Sequence, residues 1–397
     1  MTVRVNKGSF NIREKLTELG RRFGLKGSEI MAAETIQEAR DLVSAGRKNI
    51  IMNGDMQVSQ RGTTFANATS YTLDRWHFGD NTGGQITVTQ ESSGGPPGFA
   101  NFIQGNVDVV DSSVTGTDYT LCSTIIEGYD MRPLCWGTDY AKYAVLSFWH
   151  KHSIVGKYSV SLRDTNANYN YLVDYTQNVA DVWQKSIIVI PPPPGGTWNS
   201  TNGMGLRLAF AMSNGATYQS STEETWFSGQ YYHSTPYQIQ MLQTLNAKFR
   251  LTGIQLEVGK NATDFEYRSY GEELALCERY FQKYGYGSLM WASPRSPQNT
   301  YTEYTYGSFR FRTAMRDTAS IGVIGSNFAG IRYNGSGYVS RAIALTVNSG
   351  VGQVATEYSG AESCTVRIIW STDWTANDLV NVVVTNADSA LTFNADF

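Results

Sequence analysis

Phe249-Arg250-Leu251-Thr252-Gly253-Ile254-Gln255-Leu256-Glu257-Val258 reads as a β-strand. Ile254, Leu256 and Val258 fall on one face of an extended chain and Gln255 and Glu257 on the other. The apolar face meets a core, and Gln255 and Glu257 then point outward or pair with Arg268. Upstream, Ala144–Phe148, Tyr158–Leu162, Ser186–Ile190 and Gly205–Met212 have the same character. Stiff turn-forming runs separate them: Gly94-Gly95-Pro96-Pro97-Gly98, and Pro191–Pro194 before Gly195-Gly196. Many short strands and few helices favour one large antiparallel sandwich over residues 49–270, with a jelly roll as the natural topology.

The composition agrees. Of 397 residues, 17% are charged and 13% aromatic, with 38 Gly, 24 Tyr, 17 Phe and 9 Trp. Charge is below the usual ~25%, and aromatic content is too high for a disordered chain. A net charge of −3 lacks the excess expected of a nucleic-acid-binding protein. No apolar run reaches the ~18 residues that a membrane span needs, and no apolar h-region follows Arg4, Lys7, Arg13 and Lys15. No period of 20–50 residues repeats, which disfavours propellers and solenoids.

Residues 1–48 differ from the rest. Ten basic residues against six acidic ones give +4, leaving −7 for the remainder. Ile12, Leu16 and Leu19 recur at helical spacing before Gly20. Ala32, Ile36, Ala39 and Val43 form a second stripe between the N-cap candidate Ser28 and Gly46. So narrow a stripe must pack on something. It is an arm folded back on its own domain or, the preferred reading, an arm for self-association or docking. Around Tyr270, Glu272–Cys277 favour helix, giving a connector over 271–281. A second strand-rich region follows over 282–397, clearest at Ser308–Thr313, Ala342–Val347, Thr365–Trp370 and Asn381–Val384. It suits a smaller β-sandwich, and Phe309 and Phe311 alternate with Arg310 and Arg312.

Cys122, Cys135, Cys277 and Cys364 form no C-x-x-C pair, and the histidines are His77, His150, His152 and His233. The cysteines read as free, mostly buried thiols, and His150 and His152 as a structural pair sharing a strand face. The loop Asp164-Thr165-Asn166-Ala167-Asn168 has oxygen ligands of the kind Ca²⁺ takes, but an ordinary Asx turn is preferred. No metal or cofactor is expected.

Three segments resemble the tail-fibre and other tail-associated proteins of bacteriophages, including marine cyanophages. They are Arg47–Thr63, with Asn49-Ile50-Ile51-Met52-Asn53-Gly54 and Val58-Ser59-Gln60-Arg61-Gly62-Thr63; Tyr71-Thr72-Leu73-Asp74-Arg75-Trp76; and Phe249–Gly259 followed by Thr263–Tyr270 and Glu272–Tyr280. The third match is long and ordered, although Asp264 stands where the pattern has Pro and Glu278 where it has Gln. The resemblance implies a jelly-roll, carbohydrate-binding-module-like domain in a virion protein, commonly trimeric, and assigns no enzyme activity. On the residues themselves, Asn53-Gly54 and Gly62 suit turns with positive φ, and Arg61 and Arg75 with Asp55 and Asp74 offer ion pairs that fix the sandwich ends.

A glycan-cleaving enzyme needs two carboxylates flanking a cleft. Glu127, Asp130, Glu223, Glu224 and Asp264 are available, with no pattern that singles out a pair. There is no G-x-S-x-G nucleophile motif, Gly335-Ser336-Gly337 reads as a hairpin loop, and Ile321–Gly325 lacks the lysine of a phosphate loop. No catalytic residue is assigned. Glycan binding has a better basis, because aromatic faces stack on sugar rings. Trp198, Trp226, Phe227, Tyr231 and Tyr232 lie in expected loops and are the candidates, whereas Trp136, Trp149 and Trp183 belong in or beside strands. The expectation is a virion structural protein, made in the host cytoplasm. Its arm, through Ile12, Leu16, Leu19, Ala32, Ile36, Ala39 and Val43, makes a homotrimer or docks on other virion proteins, and its β-domains contact a host surface polysaccharide. An adaptor, collar or head-decoration protein without host binding is the alternative, and a depolymerase a third. No nucleic acid or membrane partner is expected.

Overall fold

In a computed structural model of the chain, strands form where apolar and polar residues alternate. The structure describes residues 47–164, 168–229, 231–285, 289–294, 303–324, 328–333, 338–343, 346–347, 353–359, 363–370, 380–384 and 390–397. The arm candidates Ile12, Leu16, Leu19, Ala32, Ile36, Ala39 and Val43 lie outside these residues, as do Thr165–Ala167 and the Gly335–Gly337 loop. Twelve strands build the first β-domain: β1 (Thr64–Phe65), β2 (His77–Asp80), β3 (Gln85–Glu91), β4 (Phe102–Val109), β5 (Tyr119–Glu127), β6 (Ala144–His150), β7 (Gly156–Asp164), β8 (Tyr169–Gln177), β9 (Gln184–Ile190), β10 (Met204–Asn214), β11 (Trp226–Ser228) and β12 (Lys248–Val258). They form two six-stranded antiparallel sheets, ordered β1-β3-β4-β12-β6-β9 and β11-β8-β7-β10-β5-β2. The fold is therefore mainly β, with the sandwich that the sequence indicates.

The core lies between the sheets. Phe148 on β6 meets Phe210 on β10 and Tyr175 on β8 edge-to-face, at 5.0 Å in each case. Tyr158, Val160 and Leu162 from β7 and Phe249, Leu251 and Leu256 from β12 complete it, all fully buried. His150 and His152 are structural. His150 donates from Nδ1 to Gln177 at 2.8 Å and accepts from the Ser186 hydroxyl at 2.9 Å, and His152 stacks on Phe249 with ring centroids 4.4 Å apart. Cys122 and Cys277 are buried free thiols and Cys135 is a half-buried one.

β12 departs from the simple strand reading. Its pairing with β6 slips between Thr252 and Gln255, and Gly253 at the bulge has φ +59. A Cβ there would press into the Phe99 ring. Beyond the bulge Gln255 and Glu257 occupy the outer face, as expected, but they are buried rather than solvent-facing. The chain after β12 folds back over them. Glu257 accepts from the Thr263 backbone N–H at 2.8 Å and its hydroxyl at 2.7 Å, so its partner is Thr263 and not Arg268.

Arg268 has a different task. Its guanidinium donates to the Asn49 and Ile51 carbonyls and pairs with Glu266 at 3.2 Å and Glu273 at 3.4 Å. Asn49 accepts from the backbone of Ile51 and Leu256 at 3.0 and 3.1 Å. Asn53 donates to the carbonyls of Val58 and Asp74, both at 2.8 Å, while its own carbonyl accepts from the Trp76 indole at 2.9 Å. Buried amides are thus fully used to fix an irregular segment. The left-handed positions here are Asn53, at φ 52, and Met56, at φ 61, while Gly62 has φ 134. Gly54 is needed for a different reason than a left-handed turn: a Cβ would collide with the Ile254 carbonyl.

Of the expected ion pairs, Arg61 with Asp74 forms, while Arg75 takes another partner. Arg75 pairs with Asp396 at 2.8 Å instead of Asp74, stacks 3.4 Å from the Tyr280 ring centroid and donates to the Ile125 carbonyl. Arg61 reaches Asp74 only at 3.9 Å and also pairs with Asp396. Asp55 forms no salt bridge among the described residues, and burial raises its carboxyl to about 6. The reason is long-range: the strand Ala390–Asn394 brings Asp396 to these arginines, a contact that local spacing does not reveal.

The connector helix α1 spans Tyr270–Cys277, capped by Ser269, whose hydroxyl accepts from the Glu272 N–H. It feeds a three-stranded sheet ordered Phe281–Tyr284, Ala390–Asn394, Ser320–Ile324. Phe311 lies just beyond the strand Glu303–Arg310 rather than within it, and its ring meets Phe393 at 5.2 Å. An eight-stranded sheet holds the remaining C-terminal strands, antiparallel except where Thr346–Val347 runs parallel to Gln353–Ser359. Asn49–Phe397 forms one unit.

Two substitutions test these packing arguments. Gly54→Ala should destabilise the protein by ~3 kcal/mol or more in urea unfolding, because backbone must move. Gly271→Ala, which meets nothing within 4 Å in α1, should be neutral or stabilising by up to ~1 kcal/mol. Equal effects would refute the close-approach explanation. Arg75→Ala, which strands Asp396 without one of its buried partners, should cost ~3–5 kcal/mol.

Candidate functional site

The outward face of the second sheet is polar and contains small residues. β7 contributes Ser159, Ser161 and Arg163, and β10 contributes Arg207 and Ala209, alternating with the core side chains Val160, Leu162 and Leu208. Register aligns Arg207 with Arg163 and Arg163 with Asn170 of β8. Ala209 lies opposite Ser161 and Ser123, and Ser123 opposite His77 of β2.

The long segment after β10 closes back on this sheet. Ser159 donates from its backbone to the Gln238 side chain at 2.9 Å and accepts from the Thr235 N–H at 3.0 Å. Its hydroxyl donates to Asp174 at 2.6 Å, and the Thr235 hydroxyl donates to the same carboxylate at 2.8 Å. Asn170 holds the Tyr232 carbonyl at 2.8 Å. These bonds anchor the segment that carries the tyrosines.

The result is a cleft of about 540 Å³ lined by Asn168, Thr217, Tyr218, Gly229, Tyr231 and Tyr232. Tyr231 is 63% exposed. Tyr218 is braced by Tyr119 at 5.3 Å and His233 at 5.2 Å, and Tyr232 by Phe227 at 5.5 Å, measured between ring centroids. The volume lies within the ~300–1,000 Å³ of small-molecule sites. Burial pushes His233 down to about 3, with Arg163 and Arg207 adding to the effect. Burial likewise lowers His77 to about 4, helped by Arg207, and Arg163 to about 10, again helped by Arg207.

Of the five sequence candidates, the structure brings Tyr231 and Tyr232 together in this cleft, with Phe227 behind Tyr232. Trp226 and Trp198 lie elsewhere. Trp226 is a buried strand residue pairing with Tyr171, not a loop residue, and its indole donates to the Pro191 carbonyl at 2.7 Å. Trp198 is half-buried and completes a three-tryptophan cluster, 4.9 Å from Trp136 and 5.6 Å from Trp226. Both seal the core beneath the proline-rich loop. Tyr218, Arg163, Arg207 and His233 were not singled out by the sequence reading, although the alternation of β7 and β10 could have placed the arginines on one face.

The carboxylates divide too. Glu127 is buried, receives Arg279 at 2.6 and 2.8 Å and the Tyr280 hydroxyl at 2.6 Å, and so holds the sandwich to the chain beyond α1. Asp130, raised by burial and by Glu127 to about 6, joins it around a cavity of only about 10 Å³. That is room for one water at most. Glu223, Glu224 and Asp264 are exposed.

No family model matches the chain, and no curated protein does. Among solved structures it is similar to the enzymatically active domain of bacteriophage CBA120 tailspike protein 4, with 14% identity and a TM-score of 0.30 over 53% of this chain and 21% of that one. It is also similar to the module TmCBM61 in complex with β-1,4-galactotriose, with 9% identity and a TM-score of 0.27 over 54% of this chain and 100% of the module. A family 11 carbohydrate-binding module of Clostridium thermocellum gives 12% identity and 0.26 over 50% of this chain and 96% of that one.

The buried histidines predict a pH dependence. His233 stays neutral in the folded chain to about 3, whereas the unfolded chain takes up that proton near 6.5. Below 6.5 the unfolded state therefore binds more protons, and this group removes up to ~1.4 kcal/mol of stability per pH unit. Asp55 and Asp130, both raised to about 6, act in the opposite sense between about 6 and 3.8, but equally in wild type and variant. Urea unfolding of His233→Gln between pH 7 and 5 should thus show a flatter fall in stability than wild type. Parallel curves would contradict a neutral, buried His233.

Proposed function

We propose that this chain is a glycan-binding structural protein of a bacteriophage virion, a tail fibre or short tail appendage. The observation that carries the binding reading is the tyrosine cleft. Three tyrosines, two of them held against neighbouring rings, border an open space beside amide and hydroxyl groups. Such a surface offers flat apolar faces to a sugar ring and polar edges to its hydroxyls. The three segments that resemble tail proteins support the virion setting. In this reading residues 1–48 dock on the particle or assemble a homotrimer. Repeated weak contacts then gain ~10²–10⁴-fold in avidity where the geometry allows several at once. The chain binds its glycan and does not cut it.

One observation favours a second reading, an adaptor or collar protein without host binding. The resembling residues Asn49, Asn53, Asp74, Arg75, Glu257, Arg268 and Glu273 are all consumed by hydrogen bonds or ion pairs within the fold. The resemblance therefore speaks for a shared scaffold, and the cleft has to speak for the ligand.

The two readings part in a cell-binding assay. Purified full-length protein should bind host cells and compete with infection, and Tyr231→Ala with Tyr232→Ala should weaken binding by ~10-fold or more, about 1.4 kcal/mol. Absence of binding by folded wild type would favour the adaptor, and release of soluble sugar from host polysaccharide would favour a depolymerase. Light scattering should give a trimer, and a monomer at micromolar concentration would refute the oligomer.

A further inference from the structure

We propose that Gly229 is a specificity-determining residue of the cleft. Having no side chain, it lets the Tyr232 ring lie against the backbone and keeps the cleft open to a sugar ring. The inference rests on the glycan-binding reading and names what sets the width of that site.

Gly229 lines the cleft together with Tyr231 and Tyr232. A Cβ there would stand 2.7 Å from Cε2 and 3.3 Å from Cδ2 of Tyr232. Non-bonded carbons pack at ~3.5–4.0 Å, so a side chain at this position forces something to move. Gly229 also has φ 133, which glycine adopts without strain.

Both backbones are tied. The Gly229 N–H donates to the Asn168 carbonyl at 3.1 Å, and the Asn168 side chain donates to the Ser228 hydroxyl at 3.1 Å. Ser228, just before Gly229, pairs with Tyr169 at the end of the β11–β8 ladder. On the other side, Asn170 holds the Tyr232 carbonyl at 2.8 Å, and the following N–H, of His233, donates to the Tyr218 carbonyl at 2.8 Å. The Tyr232 ring is then the part that yields, and it packs on Phe227 at 5.5 Å. A methyl group at position 229 would take from the ring either this bracing contact or its place as a cleft wall.

The tyrosines thus divide their tasks. Tyr218 is set by Tyr119 and His233, and Tyr232 by Phe227 and Gly229, while Tyr231 is the exposed ring of the three. Walls held before the ligand arrives select by shape, because no ordering cost is left to be met on binding.

The test titrates the full chain calorimetrically with short oligosaccharides released from host surface polysaccharide. Gly229→Ala should weaken binding by ~10-fold or more. Gly94→Ala is the control for strain: its φ is 80, but a Cβ there meets nothing within 4 Å, and binding should change by less than ~2-fold. In a Tyr232→Ala background, Gly229→Ala should also change binding by less than ~2-fold, because the ring it displaces is gone. If Gly229→Ala alone fails to fold, the variant carrying both substitutions should fold. Equal weakening with and without the Tyr232 ring, or failure of both variants to fold, would assign the effect to backbone strain and overturn the proposal. Unchanged binding by folded Gly229→Ala would overturn it and leave the glycan reading intact. Absence of binding by folded wild type would overturn both.

Discussion

Arg75 is the joint on which the first β-domain depends. It is buried, held at φ 69, and made to satisfy a carboxylate, a carbonyl and an aromatic face at once. A guanidinium in such a place is costly unless every donor is met. Meeting them fixes three distant pieces together: the turn before β2, the middle of β5 and the segment after Ala390–Asn394. Asn49, Asn53, Arg268 and Glu273 repeat the logic where the chain enters the sandwich. There, irregular backbone is stabilised by side-chain amides and charges in place of a sheet ladder. The aromatic core supplies most of the apolar burial, but this polar framework sets which loops lie where.

That framework separates structure from binding. Asn49, Asn53, Asp74, Arg75, Glu257, Arg268 and Glu273, from the most distinctive stretches of sequence, are engaged by bonds within the fold. The cleft is lined by residues between strands, with the tyrosine-bearing segment anchored on one sheet by Ser159, Asp174 and Gln238. A rigid scaffold carrying a variable loop is a common arrangement for recognition. It lets the ligand change while the clasp stays the same. The buried histidines divide in the same way: His150 and His152 belong to the core, whereas His77 and His233 lie near the cleft side of the second sheet, kept neutral chiefly by burial with Arg207 adding to it.

Much of the sandwich was legible in the sequence because alternation and turn residues are local signals. Ala144–Phe148, Tyr158–Leu162, Ser186–Ile190 and Gly205–Met212 each lie inside an observed strand. What failed were inferences about partners. Glu257 lies on the outer face, yet residues beyond β12 cover it, and no period-2 pattern encodes a covering loop. Arg75 has Asp74 beside it in sequence and Asp396 beside it in space. Trp226 looks like a loop residue because β11 is only three residues long. Tyr231 and Tyr232 were found by composition alone. Arg163 and Arg207 escaped because each looks like an ordinary solvent-facing strand residue until the register sets them side by side.

The central claim is that sugar binds at the tyrosine cleft. The most direct measurement is a nuclear magnetic resonance titration of the full chain, labelled at tyrosine, with oligosaccharides released from the host surface. The account predicts saturable shifts confined to Tyr218, Tyr231 and Tyr232, with their bracing neighbour Tyr119 affected less. Shifts elsewhere with this trio silent, or a spectrum unchanged at millimolar sugar, would contradict it.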